Sequence, residues 1–134
     1  LADLYPALAL GDALDPAQVK TINAKCESAV TKGQLVIFNT HTAGEIPSVS
    51  TAGAAATNVL GVALKSGSAG DIIPVGWIGV FKVKASGAIT GGVLIVSGAA
   101  GVIVTVGANT FEKVVGRALQ TFADGDEGLA FIYA

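Results

Sequence analysis

Along most of this chain apolar and polar positions alternate in short runs that end at Gly, Pro, Asn, Asp or Ser. A period near two, cut every few residues by turn formers, marks half-buried strands rather than amphipathic helices. The pattern predicts strands at 18–24, 27–31, 34–39, 46–49, 59–65, 72–75, 78–85, 93–96, 102–106, 113–120 and 128–133. In the run 78–85, Ile78, Val80, Lys82 and Lys84 share one parity, while Gly79, Phe81, Val83 and Ala85 share the other. Phe81 and Val83 are therefore expected to face the core, with both lysines toward solvent. Residues 40–58 form a Thr/Ala/Ser/Gly-rich loop around the short strand 46–49. Helical periodicity is absent beyond a single turn near 54–58 or 108–112. The fold class that follows is all-β, one compact sandwich or barrel of about ten short strands.

The same pattern occurs twice. Val59-Leu60-Gly61-Val62-Ala63-Leu64 is echoed by Val114-Val115-Gly116-Arg117-Ala118-Leu119, and Gly70-Asp71 returns at the same offset as Gly125-Asp126. Upstream, Thr31-Lys32-Gly33-Gln34-Leu35-Val36-Ile37 is paralleled by Thr90-Gly91-Gly92-Val93-Leu94-Ile95-Val96, and Ala43-Gly44-Glu45-Ile46 by Ala100-Gly101-Val102-Ile103. Two copies are too few for a solenoid. The expected organisation is an N-terminal arm, 1–16, and one β-domain, 17–134, in which a module is used over approximately 31–79 and 90–134.

Composition narrows the function. Charged residues make up 13% of the chain, about half the ~25% usual in soluble domains. Hydrophobic residues reach 51%, more apolar surface than one small core hides, which points to subunit or partner interfaces. Net charge is −2, and the eight cations, seven Lys and Arg117, are scattered. No basic stripe exists to neutralise phosphates, so a nucleic-acid partner is not expected. The uncharged stretch from Ala85 to Phe111 is long enough to span a bilayer. Its glycines divide it into two strands around Ser97-Gly98-Ala99-Ala100-Gly101, so no membrane partner is expected either. The chain begins at Leu1 rather than Met, read as processing or as a start lying upstream.

Candidate chemistry is sparse. His41 is the only histidine and sits in the Thr/Gly loop with no nucleophile placed against it. Cys26, the only cysteine, has Lys25 and Glu27 beside it and is expected to be a small buried side chain. Asp124-Gly125-Asp126-Glu127 lacks the spaced oxygen ligands of a calcium loop and fits a polar turn, as does Asp71 in the first copy. No glycine-rich phosphate loop is present. The expectation is no enzyme, with no catalytic, metal-binding or cofactor-binding residue.

Interaction residues are easier to name. The arm carries Leu4, Tyr5, Leu8 and Leu10, interrupted by Pro6 and Pro16. So apolar a segment either packs on a neighbouring subunit or partner, or folds back over its own core. Trp77, the only tryptophan, follows Pro74-Val75-Gly76 in an expected bend and serves either as a core plug or as an interface anchor.

The order of these blocks resembles a family of small β-rich decoration, or cement, proteins on the heads of tailed phages and related viruses. The resemblance rests on Val59-Leu60-Gly61-Val62-Ala63-Leu64, Ala69-Gly70-Asp71 and Val75-Gly76-Trp77-Ile78-Gly79-Val80. It continues through Ala88-Ile89-Thr90-Gly91-Gly92-Val93-Leu94, Gly98-Ala99-Ala100-Gly101-Val102-Ile103 and Val115-Gly116-Arg117-Ala118-Leu119, and it covers roughly residues 32–134. It implies a β-tulip-like domain, often a homotrimer, that binds the outer capsid surface and reinforces the lattice of the major capsid protein without catalysis. It also implies an arm that reaches onto the capsid protein. The other reading is a self-assembling extracellular filament or surface-layer subunit, in which the N-terminal strand is donated to the next copy.

Overall fold

The computed structural model describes residues 8–15, 18–39 and 45–134. Leu4, Tyr5 and His41 lie outside them. Nine strands follow in order: β1 (Lys20–Cys26), β2 (Leu35–Asn39), β3 (Ser48–Thr51), β4 (Val59–Ala63), β5 (Ile72–Lys84), β6 (Leu94–Ser97), β7 (Ile103–Thr105), β8 (Val114–Ala118) and β9 (Glu127–Tyr133). Short 3-10 turns occupy Ala99–Gly101 and Phe111–Lys113. The all-β class holds, as a barrel rather than two stacked sheets.

The first five strands close a ring. β1 pairs antiparallel with β5, β5 with β4, β4 with β2 and β2 with β3, and β3 returns parallel to β1 through Lys25↔Ser48 and Cys26↔Val49. The second half repeats the plan. The C-terminal half of β5 pairs with β9, β9 with β8, β8 with β6 and β6 with β7, and the parallel bridge Ala85↔Ile103 brings β7 back to the end of β5. Strand β5 therefore serves both rings, its first half in one and its second in the other.

The correspondence extends to single hydrogen bonds. Cys26 N–H donates to the Asp71 carbonyl and Ala85 N–H to that of Asp126, both at 2.8 Å; Gly33 N–H donates to Ala63 and Gly92 N–H to Ala118, again both at 2.8 Å. β2 and β4 slip register between Val36 and Ile37, and β6 and β8 slip between Ile95 and Val96. In each Gly-Asp turn the aspartate side chain accepts a backbone N–H three residues back: Ser68 to Asp71 at 2.9 Å and Ala123 to Asp126 at 2.8 Å. Such local carboxylate–amide bonds pin a turn.

Several sequence expectations are corrected. The runs 72–75 and 78–85 form one strand of 13 residues. Trp77 thus sits inside a strand, not at a bend. Residues 27–31 form no strand; Val30 touches Gly67 only as an isolated bridge. The 46–49 strand is displaced to Ser48–Thr51. Phe81 and Val83 are buried as expected, and Lys84 is exposed. Lys82 is half-buried because its ammonium donates to the Leu8 carbonyl at 2.9 Å.

Burial falls into two clusters. The interior of the first ring holds Ala24, Cys26, Val36, Val49, Ala63 and Val75. Their counterparts Val83, Ala85, Ile95, Ile103, Ala118 and Ala130 belong to the second cluster, which continues into the contact between the rings through Leu35, Val62 and Phe81. One pair of positions exchanges volume. Gly67 and Ile73 in the first ring correspond to Phe122 and Gly128 in the second. A side chain at Gly67 would strike Ile73 and Cys26, whereas Phe122 is 1% exposed. One large residue per ring fills the space, from opposite sides.

Candidate functional site

The described surface offers interaction features rather than reactive ones. His41 falls outside the described residues, and no group of three His, Cys, Asp or Glu able to hold a metal occurs among them. Cys26 is buried in the first ring. Burial, and after it the charge of Asp71, push its thiol above the ordinary value, which favours the unreactive thiol over the thiolate. Two of the three carboxylates in 124–127 bond the backbone: Asp124 accepts from Gly87 N–H at 2.8 Å, and Asp126 accepts from Ala123 N–H at 2.8 Å.

The N-terminal segment lies along its own chain. Gly11 N–H donates to the Lys82 carbonyl (2.8 Å), Lys82 N–H to the Asp12 carbonyl (3.0 Å) and Leu14 N–H to the Val80 carbonyl (2.9 Å). Residues 11–14 thereby add a short antiparallel rung to the outer edge of β5, with Ala13 opposite Phe81. Asp12 meets the Lys32 ammonium at 2.6 Å. Its hydrogen bond to Lys32, with a second from Ala9 N–H, holds its carboxyl below the ordinary value of 3.8. Of the residues expected to meet a partner, Leu8 and Leu10 are half-buried on the chain itself, and Leu10 packs over Gly33. Leu4 and Tyr5 lie outside the described residues. Folding back over the domain is thus the state of residues 8–15.

Trp77 stands apart from that segment. β1 slips by one residue against β5, pairing Lys20 with Ile78 and Thr21 with Gly76, so Trp77 has no partner across that ladder. A bulge re-aims the extra side chain, and Trp77 lines a groove of about 420 Å³ with Thr21, Ile22, Phe38, Val59, Leu60 and Ala134. No lining side chain is charged. Ile22 is 36% exposed and Phe38 47% exposed. Nearby, the directly opposed pairs Ile78↔Tyr133 and Val80↔Phe131 put four apolar side chains on one face of β5 and β9. The rings of Phe131 and Tyr133 lie 5.3 Å apart and tilted. Only Trp77 of these was legible in the sequence as an interface candidate. Ile22 and Phe38 sit in ordinary strand runs, and their spare exposure is set by what fails to cover them.

Comparisons with known proteins bear on the family and the fold. A family model described as phage cement protein matches residues 14–132. Among solved structures, the head fibre gp8.5 N base of bacteriophage phi29 is similar with a TM-score of 0.66 and 21% identity, covering 86% of this chain and 94% of that one. At that identity the likeness speaks for the fold alone. No curated protein matches the sequence. With the family model spanning nearly the whole β-domain, the chain belongs to the phage cement protein family and has a capsid-associated structural role in a virion.

Proposed function

We propose that this protein binds the outer surface of the phage capsid and reinforces the lattice of the major capsid protein, as a homotrimer and without catalysis. The observation that carries this reading is the groove around Trp77, mainly apolar in its side chains and bordered by the exposed Ile22 and Phe38. An aromatic anchor in an apolar recess is the kind of feature around which binding energy concentrates. Repetition of modest contacts over a lattice supplies avidity that one contact lacks. The filament reading draws less support, because residues 11–14, part of the arm 1–16 that it would donate, are engaged on β5 of their own chain.

The test is co-sedimentation of the purified protein with emptied heads assembled from the major capsid protein of the same phage, followed by thermal disruption of the decorated heads. Saturable binding and a raised disruption temperature are expected. Heads that neither bind the protein nor gain stability from it would sink the reading. Analytical ultracentrifugation of the free protein tests the trimer, and a monomer at all concentrations would remove that part.

A further inference from the structure

The two rings treat the same strand edge differently. In the second ring the outer edge of β5 at Val80–Lys82 is closed by residues 11–14 through three backbone hydrogen bonds. The strand in the same place in the first ring is β1. Cys26 matches Ala85 by its bond to the Gly-Asp turn, so Lys82 corresponds to Asn23 and Val80 to Thr21. Asn23 lies opposite Pro74 across the β1–β5 ladder. Proline has no N–H to donate, so this is a non-hydrogen-bonded pair, and the N–H and carbonyl of Asn23 point away from β5. Among the described residues nothing accepts or donates there, and residues 20–23 are all exposed. The side chains differ as well: Phe81, opposite Ala13 of the docked segment and packed in the contact between the rings, is 0% exposed, while its counterpart Ile22 is 36% exposed.

We propose that the open edge of β1 at Thr21–Asn23 is an acceptor for an extended segment of the capsid shell's protein, which adds a strand there and lays an apolar side chain into the Trp77 groove. The docked segment of this chain shows the chemistry required. Leu10-Gly11-Asp12-Ala13-Leu14 leaves a turn at Leu10-Gly11, pairs with β5 around Ala13, is mainly apolar, and carries one carboxylate that meets a lysine. The β1 edge is flanked by Lys20 and Lys25, which make no ion pair among the described residues. A carboxylate on the incoming strand therefore has a cation on either side to meet. A second copy of this chain cannot offer the same segment without giving up its own rung on β5. The inference rests on the capsid-binding reading and assigns the surface that performs it.

Asn23→Pro removes the edge donor that corresponds to Lys82 N–H in the second ring, while leaving the β1–β5 ladder intact, since Asn23 N–H takes no part in it opposite Pro74. Asn23→Thr keeps the donor and suits a strand. Binding of wild type and both variants to emptied heads of the same phage is compared, together with amide hydrogen exchange at residue 23. The expected result is unchanged melting of Asn23→Pro, binding weakened about tenfold or more by the lost bond and blocked edge, and Asn23→Thr binding as wild type. The Asn23 amide should exchange freely in solution and become protected on heads. Equal binding by Asn23→Pro, or an Asn23 amide still exchanging freely on decorated heads, overturns the acceptor while leaving capsid binding in place. Failure of the wild type to bind heads overturns both, and protection of Asn23 by self-association without heads would assign the edge to a second copy instead.

Discussion

Gly61 and Gly116 face the same obstacle: a backbone carbonyl, that of Gly76 for the first and of Phe131 for the second, occupies the space a Cβ would need. Each glycine precedes its module's Ala-Leu on β4 or β8, and each lies beside a register slip, where Gly61 pairs with Val36 and Gly116 with Ile95. The rings close only because these strands approach without side chains between them.

Gly61→Ala and Gly116→Ala are each expected to destabilise the protein by about 2–4 kcal/mol, since the obstacle is backbone and cannot rotate away. Gly53→Ala, at a position with open space around it, is expected to stay within about 0.5 kcal/mol. Urea unfolding of the three variants checks this. A neutral Gly116→Ala would show that β8 and β9 are not so close.

Phe122 fills the second ring in place of the residue matching Ile73, which is Gly128. Phe122→Ala is expected to cost about 3–5 kcal/mol. Adding Gly128→Ile to that variant should restore part of the loss, because it moves the bulk to the side used by the first ring. Gln120 must move to admit it, since its side-chain amide now covers Gly128. Denaturant midpoints of the single and double variants decide the matter; no recovery in the double variant would refute the exchange of volume.

Docking of the N-terminal segment should depend on pH through Asp12. Its folded-state carboxyl lies below the ordinary value of 3.8, chiefly through Lys32. A depressed carboxyl contributes stability that is present above its unfolded value and is lost as pH falls through the folded one. Amide protection of Gly11 and Leu14 should therefore be steady above about pH 5 and decline as acidification proceeds below 3.8. In Asp12→Asn the protection should be weaker at neutral pH and flat across the range. An unchanged acid dependence in that variant would shift the cause to another carboxylate.

Trp77 is the only tryptophan, so intrinsic fluorescence reports one place, the groove beside β1. A blue shift is expected when the protein decorates heads, because an apolar partner displaces water from the indole. Trp77→Ala is expected to keep the fold and weaken head binding by about 2 kcal/mol per site. An emission spectrum identical in free and bound protein would place the capsid contact elsewhere.

The order of residues was enough to set the local physics. Alternation picked out Phe81 and Val83 as inward residues because side chains on a strand change face at every step. The Gly-Asp turns and the paired Gly61 and Gly116 were visible because small residues stand where the backbone allows nothing larger. Periodicity, however, says which way a side chain points and not which strand lies beside it. Gly76-Trp77 looked like a break between two short strands, yet β5 runs through it because β1 pairs with Gly76 and Ile78 on either side of the bulge at Trp77, while β4 and β9 take up its two halves. The match of β1 to the second half of β5 was hidden because Thr21 to Cys26 and Val80 to Ala85 share only Lys25 and Lys84 at equal positions. Their equivalence lies in backbone bonds, which any side chain permits. For the same reason it took the tertiary structure to reveal that Leu8 and Leu10 return to their own domain, while the other described residues leave Ile22 exposed and Trp77 only half-buried. Coverage of an edge is settled by which segment reaches it, and the residues of the edge carry no record of that.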